Sequence, residues 1–198
     1  MKILVIGATG TLGREVVRLF KSKHEVLEAS RTKAALKVDI ADPESLRTLF
    51  RSVGPVDAVV SVAGEGKFAP LDKLSDDDFA FSVRSKLMGQ VNVVRFGLEH
   101  VRPNGSVTIT SGILSHRPMP GSGAISLVNA GLEGFARAAA LEAPRGIRVN
   151  VVSPPWAAET LKLFKMDPTQ GRTAADIATL YAQAVEGKGN GSVIEFGR

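Results

Sequence analysis

The residues that can do chemistry begin at Gly7-Ala-Thr-Gly-Thr-Leu-Gly13, where glycine recurs at every third position. Such glycines allow positive φ and remove Cβ atoms, so backbone N–H groups and a helix N-terminus can meet an anion. The apolar run Ile3-Leu-Val-Ile6 precedes the turn, and Arg14-Glu-Val-Val-Arg-Leu-Phe20, apolar at helical spacing, follows it. Strand, glycine turn and helix form the context that a dinucleotide pyrophosphate requires, although glycines also make ordinary tight turns. Gly7, Thr9, Gly10, Thr11, Leu12 and Gly13 are therefore the first candidate cofactor contacts. About 20 residues further on, dinucleotide folds commonly place an acid that holds the ribose 2′-hydroxyl. Ser30, Arg31 and Thr32 stand there instead. A carboxylate would repel a 2′-phosphate, whereas a hydroxyl and a guanidinium can bind one, so NADP(H) is expected over NAD(H). The plainer alternative is an exposed arginine in a polar turn. Asp39 and Ile40 then border the adenine, with the aspartate accepting from its amino group.

The elements that must hold these groups follow from hydrophobic period. His24–Ala29 predicts a second strand and Ala35–Ile40 a short third one. Asp42-Pro43-Glu44 opens a helix, with Asp as N-cap and Pro at its first position. Val56–Val62 is a continuous apolar run, as expected of a parallel strand buried on both faces. Asp76 to His100 predicts one long helix, with Phe79, Val83, Leu87, Val91, Val94 and Leu98 on one stripe. Met88, Val93 and Phe96 lie off that stripe, so a second side needs cover, and pairing between subunits as a homodimer or homotetramer is expected. Ser106–Thr110, Ile147–Val152 and Ser192–Phe196 predict strands, and 173–185 a helix. Ala124–Glu142 is a helix apolar almost all round, with Ser126, Asn129, Glu133 and Arg137 on one narrow polar stripe.

This alternation predicts one α/β domain over residues 1–198, a doubly wound, seven-stranded parallel sheet with helices on both faces. Ligands in such sheets bind beyond the carboxyl ends of strands, so the loops after residues 6, 29, 40, 62, 110 and 152 face one site. Residues 155–172 form a short lid, with Trp156 as lid anchor or as plain packing. So short a cover predicts a small-molecule substrate or an open site.

Composition narrows the classes. Of 198 residues 44% are hydrophobic and 23% charged, the balance of a globular chain. The absence of cysteine excludes disulfides and fits a reducing compartment. Met1 leads straight into a strand rather than a signal-peptide pattern, so a cytoplasmic location is expected. No apolar run reaches the roughly 18 residues of a membrane span. The net charge of +5 comes from scattered Lys and Arg without interleaved aromatics, which argues against nucleic acid. His24, His100 and His116 show no metal-ligand spacing with carboxylates, so no metal is expected. His116 is an acid–base candidate by its type, and equally a solvated loop histidine.

Taken together, the chain resembles the short-chain dehydrogenase/reductase superfamily over nearly its whole length. The glycine turn, Asp39-Ile40 and Ser61-Val-Ala-Gly64 occur in the order of that family's motifs, the last without its asparagines. Lys86-Leu-Met-Gly89 is similar to its Asn-x-x-Gly, and Arg148-Val-Asn-Val-Val-Ser-Pro154 to its late strand signature, with Pro155 in place of glycine. The resemblance implies cofactor contacts from Ala63, Gly64, Asn129, Pro154 and Trp156. It also implies a Ser and a Tyr-x-x-x-Lys centre, in which tyrosine handles the substrate proton. Ile125 and Asn129 stand at the tyrosine and lysine positions, and Tyr181 lies on a different helix. The serine position falls on Ser111 with a one-residue gap, or on Gly112 without one. Ser111 and Lys86 are the candidate replacements: Lys86 supplies the missing cation, or stands as a surface lysine or a structural helix residue, while Ser111 or Thr110 holds a substrate oxygen. Two functions remain: an NADP(H)-dependent oxidoreductase acting on a small carbonyl or alcohol through a non-standard active site, or a catalytically inactive NADP(H)-binding regulatory or sensor protein.

Overall fold

The computed structural model describes residues 1–197. Its strands are β1 (Lys2–Ile6), β2 (Glu25–Ser30), β3 (Leu36–Lys37), β4 (Val56–Ser61), β5 (Val101–Thr110), β6 (Arg148–Val152) and β7 (Val193–Ile194). All pair in parallel, in the order β3-β2-β1-β4-β5-β6-β7. The helices are α1 (Thr11–Lys21), α2 (Pro43–Val53), α3 (Asp76–Ser82), α4 (Gly89–Gly97), α5 (Gly123–Glu142), α6 (Ala158–Leu163) and α7 (Ala174–Glu186).

Alternation along each strand divides the apolar residues between two cores. Leu4 and Ile6 of β1 pack with Leu46 and Phe50 of α2, Val93 of α4 and Leu132 of α5. Ile3 and Val5 face the other way, onto Val16 and Phe20 of α1 and Ile177 and Tyr181 of α7. Each fully buried Leu, Ile or Phe contributes about 1.5–3 kcal/mol, and helices on both faces are what a continuously apolar strand needs. The chain leaves β1 toward β2 and returns on its other side at β4. The loops diverge at that switch point and open a crevice beyond the carboxyl ends of the strands.

The doubly wound sheet is as expected; several bounds are not. The helix expected over 76–100 runs without a break to Gly97 but changes pitch: α3 starts on a capping box between Ser75 and Asp78, and Val83–Met88 widens into a π-helical stretch that continues directly into α4. Close contacts flank this stretch. A Cβ on Gly64 would lie 3.0 Å from Lys86 Cα, and one on Gly89 would lie 2.9 Å from Ile40 Cδ1. Hydrophobic period cannot reveal an extra residue in a turn, and such turns often mark functional sites. β5 starts earlier than expected, at Val101, and its register against β4 shifts between Val56 and Ala58. β3 and β7 are shorter than the apolar runs that foretold them. The lid carries α6, which is tied at its base: Arg172 N donates to Trp156 O at 3.0 Å and Ala158 N to Arg172 O at 2.8 Å.

Candidate functional site

The crevice consists of two adjoining hollows that share Val62, Ala63, Gly64 and Glu65. The outer one, about 330 Å³, lies between the glycine turn, the end of β2 and the Asp39-Ile40 loop. The inner one, about 450 Å³, runs under the lid.

Gly7 turns the chain at φ +87°, anchored by Gly7 N and Ala8 N on Ala29 O at 2.9 and 3.1 Å. An added Cβ there would lie 2.9 Å from the Val62 carbonyl, so the position admits only glycine without rebuilding the turn. Gly13 serves differently: its Cβ would fall 2.0 Å from Gly7 O, so its glycine lets α1 close onto the turn. No side chain caps α1 and no acid occupies its first turn. Its N-terminal dipole and N–H groups therefore point an anion-binding end at the outer hollow. Asp39 lines that hollow, and its Oδ1 accepts from Ala41 N at 3.0 Å.

Ser30 is buried, and its Oγ accepts from Lys33 N at 3.1 Å and Ala34 N at 2.8 Å, shaping the turn after β2. Arg31 reaches across the hollow to Glu65, with Nη2 3.2 Å from Oε1.

In the inner hollow, the π-helical stretch aims Lys86 inward, and its Nζ donates to Ser111 O at 2.9 Å. Burial pulls this amine down from 10.5 to about 8. Asn129, 2% exposed, gives its Nδ2 to Gly112 O at 3.3 Å and leaves Oδ1 buried without a partner. A Cβ at Gly112 would meet that Nδ2 at 2.9 Å. Gly66 lies so near Ile125 that its Cβ would fall 2.5 Å from Ile125 Cδ1, so the isoleucine fills the space before it. Trp156 stands edge-on to Phe68 at 6.1 Å and to Phe164 at 6.4 Å, giving the mouth aromatic walls.

Most expected residues meet in this crevice. Gly7, Thr9, Gly10, Ser30, Arg31, Thr32, Asp39 and Ile40 line the outer hollow, and Leu12, Lys86, Ser111, Asn129, Pro154 and Trp156 the inner one, with Ala63 and Gly64 common to both. Thr11 and Gly13 line neither and belong to the helix start behind the turn. Ser111 is 2% exposed; its Oγ donates to Glu133 Oε1 at 3.0 Å, and Lys86 meets its carbonyl rather than its hydroxyl. His116 lies outside both hollows and pairs with Glu195 at 3.2 Å. Tyr181 is fully buried behind the sheet, bonded to Thr110 Oγ1 at 2.9 Å, and burial raises its phenol well above the usual 10.0. Glu65, Ser85 and Phe68 were missed; Glu65 and Phe68 sit in the loop after β4, which the switch-point rule already directs to the site.

Comparison with known proteins agrees with this fold. The family model described as enoyl-(acyl carrier protein) reductase matches residues 14–183. The chain belongs to the short-chain dehydrogenase/reductase superfamily. Among curated relatives of this superfamily, the hydroxynaphthalene reductase arp2 of Aspergillus fumigatus is 32% identical over 143 residues, covering 68% of this chain and 52% of the relative. The chain thus spans about half the length of that protein. Among solved structures, the protein lin1944 from Listeria innocua superposes with a TM-score of 0.95 at 36% identity, covering 99% of both chains. A small-chain dehydrogenase in complex with NADPH superposes with a TM-score of 0.87 at 25% identity, covering 98% of this chain and 95% of that one. No helix among the described residues is long and apolar enough to cross a membrane.

Proposed function

We propose that this short-chain dehydrogenase/reductase is an NADP(H)-dependent oxidoreductase that acts on a small carbonyl or alcohol, with Lys86 in place of the usual tyrosine. The observation that carries the reading is the Lys86 amine, set in the inner hollow and brought to about 8 by burial. Two features fit a bound dinucleotide: the turn at Gly7 that a Cβ would fill, and the orphaned Asn129 Oδ1, which accepts from a ribose hydroxyl. The glycine turn and the N-terminus of α1 hold the pyrophosphate, and Asp39 and Ile40 border the adenine. Bound NADP(H) supplies the hydride chemistry.

Lys86 then handles the other half of the balance. As an ammonium it donates a proton to the oxygen of a carbonyl as that oxygen gains charge, and it regains one from water; in the reverse direction the neutral amine accepts the alcohol proton. Reduction therefore falls as pH rises through about 8. The aromatic walls exclude water and favour an apolar substrate body, which agrees with a relative named as a hydroxynaphthalene reductase.

A second reading has its own support. Ile125, where the family resemblance expects the tyrosine, lines the inner hollow with Gly112 and Asn129 and brings no group that can transfer a proton, so a binding protein that senses NADP(H) without turnover also fits. One experiment separates them: thermal shift with NADPH and NADH, followed by NADPH oxidation against a panel of carbonyls. Turnover that Lys86→Met abolishes while NADPH still raises Tm supports the enzyme. Binding with no turnover supports the sensor.

A further inference from the structure

Arg31 is the cation that the turn after β2 offers to a 2′-phosphate, and in the structure it already has a partner. We propose that Glu65 sets the 2′ preference of the cofactor site: its carboxylate holds the Arg31 guanidinium across the outer hollow, and a 2′-phosphate that binds Arg31 must compete with it. The inference deepens the dinucleotide reading above and rests on it.

The backbone at both ends of this pair is pinned while the side chains are exposed. Arg31 follows Ser30, whose buried hydroxyl fixes the turn through Lys33 N and Ala34 N. Glu65 N donates to Ser85 Oγ at 3.1 Å, and the preceding Gly64, at φ +119°, packs against Lys86. Glu65 thus cannot retreat as a residue, and only its side chain swings. The side chains themselves are 66% and 61% exposed, so the contact opens at little cost.

The charges around the hollow set the direction of the effect. Its charged lining is Arg31, Asp39 and Glu65, one guanidinium against two carboxylates. A 2′-phosphate brings a further charge of roughly −1.5 to −2 at neutral pH. It must compete with Glu65 for the Arg31 charge, and it is repelled by the neighbouring carboxylate. A 2′-hydroxyl faces neither penalty. Glu65 therefore lowers NADPH affinity relative to NADH, and Arg31 raises it.

The test is equilibrium binding of NADPH and of NADH to the wild type, Glu65→Gln, Arg31→Ala and the double variant, at low and high salt. Gln keeps the size of the side chain and the backbone bond to Ser85. The expected result is NADPH binding tightened about 3- to 10-fold by E65Q with NADH changed less than about twofold, the gain shrinking in high salt. The same substitution in the R31A background is expected to yield a clearly smaller gain. An unchanged NADPH-to-NADH ratio in E65Q, or an equal gain without Arg31, overturns the role of Glu65 and leaves the cofactor site standing. Failure of all four proteins to bind either dinucleotide overturns the cofactor reading, and the role of Glu65 with it.

Discussion

Replacing Lys86 by methionine is expected to stabilise the protein at neutral pH and destabilise it in alkali. Burial holds the amine near 8 in the folded chain against 10.5 when it is exposed. That gap is worth about 3 kcal/mol against folding wherever the amine is charged, which means below about pH 8. Between pH 8 and 10.5 the unfolded chain binds the extra proton, so wild-type stability rises with pH by up to about 1.4 kcal/mol per unit relative to the variant. Methionine never carries the charge, but it leaves Ser111 O without the Lys86 bond, a loss of about 1 kcal/mol. The variant is then about 2 kcal/mol more stable at pH 7, or about 4–8 °C in Tm for a chain of this size. The two stability curves cross between about pH 8 and 10. Urea unfolding followed by far-UV circular dichroism at steps from pH 7 to 10 measures the difference directly, with equal m-values as the control. Curves that stay parallel over that range would show that the amine is not desolvated and would remove the basis for its proton-transfer role.

Other substitutions probe separate parts of the argument. Gly13→Ala, outside both hollows, is expected to weaken NADPH binding more than tenfold, because the added Cβ forces α1 off the Gly7 carbonyl; isothermal titration reads it. Ile125→Tyr is expected to cost about 1–3 kcal/mol by overpacking the contact with Gly66 and to bring no gain in turnover, checked by urea midpoint and steady-state rates. Tyr181→Phe removes one buried hydroxyl from Thr110 and is expected to cost about 1 kcal/mol while leaving kcat unchanged, since Tyr181 lies behind the sheet. Leu127 and Leu141 of α5 are strongly exposed and Met88 adds to the outer apolar surface, so light scattering at micromolar concentration is expected to report a dimer or tetramer rather than a monomer.

The sheet was legible because its information is periodic. Apolar runs at Ile3–Ile6 and Val56–Val62 state both that a strand forms and that both of its faces are covered. The cofactor loop was legible for a related reason, since glycine at 7, 10 and 13 is a local demand of backbone geometry. What period cannot carry is the direction of a single side chain. Ser111 and Thr110 are neighbours at the end of β5, yet Thr110 Oγ1 turns to Tyr181 on one side of the sheet and Ser111 Oγ to Glu133 on the other. The approach of Lys86 to the Ser111 carbonyl depends on a π-helical turn, and the reach of Glu65 to Arg31 joins two loops far apart in sequence. Both are tertiary outcomes without a local signature.

The paired base of the lid has a consequence for how such a chain can diversify. Because residues 157 and 172 pair with each other, the ends of the intervening segment are held together by the frame. The entropy of closing a loop grows only logarithmically with its length, at about 0.6 kcal/mol per doubling. A lid twice as long could therefore be grafted between those two residues at a stability cost smaller than that of many single core substitutions. Substrate range and sheet stability are thereby uncoupled at one pair of backbone bonds, and that stem is where a chimaera should be cut.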